Sequence, residues 1–216
     1  GKESLDSVED YEKRILKNPN SSEMWIMYAA FVLSKTKKYN LAKKVFERAV
    51  KAVDITETTE KLNIWVGYMN FEKVYGKHDE FIRIVDEAMK INDKKQIYKH
   101  LILIYKNSGN NTLIYETYKL ALRTFKNDVG LWKAFIEFLF IHNKEGDNKE
   151  FQTIKETLSQ ALQSLIITNK KIELLIHYSS LNYKYDNLEQ GKMSFESLIK
   201  EYPKRHDIIL VYIDKE

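Results

Sequence analysis

The chain has 216 residues, 44% of them hydrophobic, and a formal net charge of +4 from 35 basic and 31 acidic side chains. That length allows one large domain, two small ones or a repeat array. The absence of cysteine excludes disulfides, a thiolate nucleophile and cysteine-based zinc sites, and suits a reducing compartment. Seven glycines and two prolines are too few for a many-turned β protein and point to long helices. No apolar run approaches the roughly 18 residues of a membrane span, and no signal peptide is visible. Gly1 reads as an expression remnant, with the native start elsewhere. Charge is uneven: residues 1–108 hold 20 basic and 16 acidic side chains, and residues 109–216 hold 15 of each. A bias this mild permits a nucleic-acid contact without requiring one.

Taken in chain order, hydrophobic periodicity predicts helices of two alternating kinds, A and B. They fall near 7–17 (B), 22–34 (A), 40–53 (B), 57–75 (A), 78–90 (B), 94–108 (A), 111–125 (B), 128–142 (A), 147–165 (B), 170–185 (A), 187–201 (B) and from 207 (A). In the second B helix, Ala42, Val45, Phe46, Ala49, Val50 and Val53 form one apolar stripe. Asn40 is the expected cap of that helix, and Asp147 with Glu150 resembles a capping box before a helix starting near Phe151. Gly76 and Gly109 stand where a helix end calls for a left-handed residue.

The A helices share an aromatic row at three-residue spacing. Trp65, Tyr68 and Phe71 repeat the positions of Trp25, Tyr28 and Phe31, and those of Trp132, Phe135 and Phe138. Weaker copies are Tyr98–Leu101–Ile104, Leu175–Tyr178–Leu181 and Ile209–Tyr212. Successive starts lie 40, 33, 34, 43 and 34 residues apart, so the period is 33–34 with two insertions. The first insertion, Val53–Lys61, is expected to extend the following A helix at its start; the second, His142–Glu150, reads as a flexible loop. Between the rows, Phe46–Glu47, Phe195–Glu196, Tyr115–Glu116 and Tyr11–Glu12 read as one recurring B-helix element. Pro19 and Pro203 share one phase, at helix junctions where a missing N–H costs little.

A 34-residue helix pair cannot bury both faces alone, so neighbours must stack. The expected fold is all-α: an α-solenoid, a right-handed superhelix of helix-turn-helix repeats. Residues 1–216 read as a single domain of about five repeats with half-units at both ends, and so as a fragment of a longer protein.

The pattern W-x-x-Y-x-x-F-E, carried by Trp65, Tyr68, Phe71 and Glu72, resembles the HAT (half-a-TPR) repeat. So does A-x-x-V-F-E-R-A, carried by Ala42, Val45, Phe46, Glu47, Arg48 and Ala49. The chain lacks the Leu-Gly pair of the tetratricopeptide pattern, having Tyr68 and Met69 there; Val32, Leu139 and Asn182 replace the acid in other copies. Lys17–Ser34, Glu60–Gly76 and Tyr202–Asp214 resemble the C-terminal helical region of the family of ribosomal RNA processing protein five. That resemblance covers nearly the whole chain but is weak over residues 142–170. It implies a nuclear, nucleolar scaffold for early pre-ribosomal RNA processing in the small-subunit processome. It also implies protein partners among ribosome-assembly factors, with pre-ribosomal RNA met mainly through S1 domains outside this chain. The alternative is a HAT scaffold of messenger RNA 3′-end processing or splicing.

No catalytic constellation emerges. His78, His100, His142, His177 and His206 form no zinc-like spacing and read as surface or helix-end residues, and no phosphate-cradling glycine loop or nucleophile elbow is present. The expectation is a protein that is not an enzyme, with no metal, no cofactor, no small-molecule substrate and no membrane. The basic cluster from Ser34 to Lys51 counts seven cations against Glu47 alone. Within it Lys44, Arg48 and Lys51 stand at i, i+4, i+7, a stripe that would either track a phosphate backbone or simply solvate a helix face. Arg48 also belongs to the repeat motif, where packing or a salt bridge within the repeat is the expected role. Lys204 and Arg205 form a second candidate contact beside Pro203, in an exposed inter-helix turn.

A ligand site has no reason to recur at each repeat, whereas a packing face does. Trp65→Ala should therefore cost roughly 3–5 kcal/mol as a core truncation. Near-wild-type stability in a chemical melt would return the aromatic row to the ligand-site candidates.

Overall fold

The structure is a computed structural model and describes residues 5–142, 151–186 and 188–216. These hold twelve α-helices and no strand. The first six are α1 (Val8–Lys17), α2 (Ser22–Thr36), α3 (Tyr39–Ala52), α4 (Thr58–Tyr75), α5 (His78–Ile91) and α6 (Lys94–Asn107). The other six are α7 (Asn111–Thr124), α8 (Val129–His142), α9 (Ile154–Ser164), α10 (Thr168–Leu181), α11 (Leu188–Glu201) and α12 (His206–Lys215). The all-α repeat class and its alternation follow the sequence reading.

The chain divides into two compact units, Gly1–Ser108 and Gly109–Glu216. In the first, α2 packs on α1, α3 and α4, and α4 on α3, α5 and α6, so that an A helix meets its own B helix, the preceding B helix and the next A helix. The second repeats the scheme, with α8 against α7, α9 and α10, and α10 against α11 and α12. Each unit thus stacks helix pairs on the solenoid plan.

The joint between pairs is a ring clasp. A ring on a B helix sits on the second and third rings of the next A row. Tyr11 lies 5.4 Å from Tyr28 and 5.0 Å from Phe31; Phe46 lies 5.2 Å from Tyr68 and 5.0 Å from Phe71. In the second unit the clasp is Tyr118 on Phe135 and Phe138, at 5.3 and 5.8 Å, and Phe195 stacks on Tyr212 at 5.1 Å. The counterpart of Phe46 is therefore Tyr118, one turn beyond the expected Tyr115, which meets Phe135 at 5.6 Å and stacks on Phe151 at 4.3 Å. All ten aromatic signature positions pack inward; only Phe31 stays half-buried.

The acid at the end of the best row occupies a core position. Glu72 is fully buried, and Val32, Leu139 and Asn182 are buried in the equivalent places, which explains why uncharged residues replace it so freely. Its carboxylate accepts the Tyr39 hydroxyl at 2.6 and 2.9 Å and faces Lys43 Nζ at 3.8 Å, tying α4 to α3. A buried carboxylate is tolerated only when matched in this way.

The first insertion does extend α4. The consequence shows in the indoles. Trp25 and Trp132 each donate from Nε1 to the carbonyl six residues earlier, Pro19 and Lys126, at 2.8 Å. Six residues before Trp65 stands Thr59, inside the lengthened helix where carbonyls are already engaged, and the Trp65 indole has no partner among the described residues. The extension also carries Lys61, buried, whose ammonium donates to the carbonyls of Val50 and Val53 at 2.6 and 2.7 Å. It closes the C-terminus of α3, where a cation is favoured.

Local signals differ in four places. Asn40 lies inside α3, which begins at Tyr39 after Lys38 with no side-chain cap. Gly76 has φ −91° and ψ 176°, an extended conformation, while Gly109 is left-handed at φ 68° and so is Lys37 at φ 56°. Phe151 precedes the helix: α9 starts at Ile154 behind a true capping box of Thr153 and Glu156. Asp147 and Glu150 lie outside the described residues. Finally α10 runs on into a π-turn, Asn182–Asp186. That turn brings the Tyr183 backbone so close to α11 that a Cβ on Gly191 would stand 2.6 Å from Tyr183 Cα, so only glycine fits.

His177 departs from the surface reading. It is half-buried between α8 and α10, with Nε2 3.8 Å from Glu137 Oε2, beyond hydrogen-bond reach. Burial, then the nearby Lys133 charge, pushes its pKa below the ordinary 6.5. His100, also half-buried, moves in the same direction through burial. A histidine held neutral in the fold gives stability that is full above its unfolded pKa and is lost as pH falls below about 6.5, because the unfolded chain then binds the proton better. The melting temperature should therefore fall between about pH 7 and pH 5. His177→Gln should flatten part of that slope, and an unchanged slope would remove His177 from the account.

Candidate functional site

The A helices of the first unit leave an open apolar groove of about 690 Å³ between α2 and α4. Leu33, Phe71, Val74 and Tyr75 line it, with Lys37 and Asn70 as polar neighbours. Its outer residues are unusually bare: Val74 is 69% exposed and Tyr75 56%. Both fall at the last turn of α4, where the helix period carries the apolar row off the buried face. Gly67 sets how close the walls approach, since a Cβ there would stand 2.8 Å from Ile26 Cδ1. Of these the sequence singled out Phe71, as a packing residue of the repeat, and Lys37, within the basic cluster, and neither Val74 nor Tyr75. The signal available was the run of apolar residues beyond Phe71, which exceeds what one packing face needs.

The structure spreads the predicted cationic stripe along the exposed face of α3 and then takes one member out of it. Arg48 donates to Glu12 at 2.6 and 3.0 Å in a forked pair, and its guanidinium lies 5.3 Å from the Trp25 ring. Glu12 also accepts the Tyr28 hydroxyl at 2.8 Å. The Arg48 hydrogen bond, ahead of the other causes, holds the Glu12 carboxyl below its usual range and raises the guanidinium in turn. Arg48 thus joins three helices of the first unit, as its place in the repeat motif suggested. Lys44 and Lys51 remain exposed with no ion pair described for either. Lys43, counted with the exposed cluster, is instead half-buried and bonded to Glu80 at 2.7 Å. Hydrogen bonds from Arg83 and Lys43 bring the Glu80 carboxyl down to about 2.

Arg205 is likewise committed and only half-exposed, against the expectation of an open turn. It grips Asp207 at 2.7 and 3.0 Å and Asn169 at 2.9 Å, joining the starts of α10 and α12. Lys204 beside it is exposed. Among the described residues no group of three or more His, Asp or Glu is placed to hold a metal ion. No helix among them is long and apolar enough to cross a membrane.

Residues 2–107 match a family model described as the PRP39 N-terminal HAT repeat. Protein RRP5 homolog of Mus musculus is 30% identical over 209 residues, which cover 97% of this chain and 11% of that protein. The rRNA biogenesis protein rrp5 of Schizosaccharomyces pombe is 31% identical over 207 residues, 96% of this chain and 12% of that protein. The chain spans about a tenth of the length of the curated relatives it matches. Among solved structures it is similar to YrrB, described as a TPR protein with an unusual peptide-binding site, at 14% identity and a TM-score of 0.39 over 95% of this chain and 99% of that one.

The Arg48–Glu12 pair is half-exposed, so its coupling should be modest. A double-mutant cycle with Arg48→Ala and Glu12→Ala should return about 1 kcal/mol, the upper end for exposed pairs. A coupling indistinguishable from zero would free Arg48 for an outside partner.

Proposed function

This chain belongs to the RRP5 family, and on that premise we propose that it is a non-catalytic scaffold segment of a nuclear, nucleolar rRNA biogenesis factor. The observation that carries the reading is similarity to RRP5 proteins along 97% of the chain, borne on repeated helix pairs whose signature residues are spent on packing. Side chains used up in the joints cannot do chemistry, so function falls to the surfaces they hold in place. Assembly partners in the small-subunit processome would dock there. The α2–α4 groove suits an apolar peptide segment of such a protein, because Val74 and Tyr75 offer exposed anchors beside Leu33.

The PRP39-type HAT match over residues 2–107 supports a second reading, a scaffold of messenger RNA 3′-end processing or splicing. The longer similarity to RRP5 proteins favours ribosome assembly. The test is a cell whose sole copy of the protein carries Val74→Glu and Tyr75→Glu. Pre-rRNA intermediates should accumulate, and the protein should leave the pre-ribosomal fractions of a gradient. The purified chain should melt as wild type does, since both side chains lie outside the core. Normal rRNA processing with defective messenger RNA maturation would favour the second reading. Normal processing of both would overturn the groove assignment.

A further inference from the structure

The second unit holds a recess of about 350 Å³ between α7 and α9, at the lower end of the range for ligand sites. Its rim carries Lys119, Arg123 and Lys126, its far wall Gln160 and Gln163, and its floor Trp132. No carboxylate among the described residues lines it. Arg123 and Lys126 are exposed, and no ion pair is described for either. Lys119 Nζ bonds the Gln152 amide oxygen at 3.0 Å and lies 6.0 Å from the centre of the Tyr115 ring, neutral partners that bring no carboxylate to it. Lys126 is fixed at the rim because its carbonyl accepts the Trp132 indole N–H at 2.8 Å.

The first unit supplies an internal comparison. Fully buried alanines, Ala49, Ala88, Ala121 and Ala161, set the register between B helices. In that register the rim positions of the α7–α9 recess correspond to Glu47, Lys51 and Asp54, and the two glutamines to Glu87 and Lys90. The same place is therefore mixed in sign between α3 and α5, and purely cationic and amide-lined between α7 and α9. Repeat packing does not require this, because both versions hold the same buried alanine.

We propose that the α7–α9 recess binds a phosphodiester-linked nucleotide of a single-stranded nucleic acid. Three cations on one rim suit backbone phosphates, and two amides, each donor and acceptor at once, suit the polar edges of a sugar or base. An acidic peptide would also satisfy the cations and could pair its backbone with the amides, so it is the competing occupant in the test. Trp132 is only 5% exposed and offers no stacking face, so charge supplies most of the affinity and salt should weaken it strongly.

The test is fluorescence anisotropy of the 216-residue chain with labelled oligouridylate of about ten nucleotides, across a salt series. Arg123→Gln with Lys126→Gln should weaken binding about tenfold and reduce the salt slope by about 1.4, at about 0.7 for each single-strand phosphate left without its cation. Gln160→Ala with Gln163→Ala should weaken it several-fold with the slope unchanged. Lys44→Gln with Lys51→Gln removes the same charge from α3 and should change binding less than twofold. Far-ultraviolet melts should match wild type throughout, since all six side chains are exposed. Oligodeoxyuridylate of the same length separates the two sources: binding of either strand supports the site, and preference for RNA assigns it to the ribose 2′-hydroxyl. Failure of both strands to bind, an equal loss in the α3 variant, no loss in the rim variant, or stronger competition from a phosphopeptide of equal charge would each overturn the proposal.

Discussion

Rings clasped between a B helix and the A helix that follows join neighbouring helix pairs, and the remaining packing is built around that joint. A 34-residue helix pair has too little apolar area to stand alone, so each pair must hand part of its core to the next. Stacked and tilted rings at about 5–6 Å do this with geometry as well as area. Because the A row steps by three residues, it drifts around its helix and touches both the preceding B helix and its own pair. The clasp fixes the separation of neighbouring helices, and that separation decides which small residues are needed, from the buried alanines of the B helices to Gly191 against the π-turn of α10.

Departures from the ideal repeat are compensated where they arise. Lengthening α4 deprives the Trp65 indole of the carbonyl its counterparts use, and the same extension brings in Lys61 to close α3. Glu72 gains a polar tie to α3 at a position where the other copies are content with an apolar or neutral residue. These polar insertions concentrate in the first unit, where Lys43 reaches Glu72 and Glu80 across three helices. The second unit instead relies on the Tyr115–Phe151 stack and the Arg205 clamp.

Charge that is absorbed inside the repeats cannot serve a partner. Lys43 and Arg205 are read from sequence as surface cations and Arg48 as either a surface cation or a partner within the repeat, and each is tied to a residue 30 or more positions away. What remains free is different in the two units: an apolar groove edged by Val74 and Tyr75 in the first, and a cationic, amide-lined recess in the second. One repeat plan thus carries two surfaces of unlike chemistry.

The all-α class, the helix alternation, the period of 33–34 and the buried aromatic rows were legible before any folding was seen. All of these are written in local periodicity, which survives without knowledge of long-range neighbours. Helix ends were less legible: Asn40 and Gly76 have the right chemistry for caps, but the chain places Lys38 and an extended glycine there because packing fixes where each helix stops. Long-range packing was needed to show that Tyr118 rather than Tyr115 makes the full clasp, that Glu72 sits in a core position, and that the partner of Arg48 is Glu12. A charged side chain looks the same in sequence whether it faces water or a partner from another helix. The difference lies in distance, which folding alone supplies.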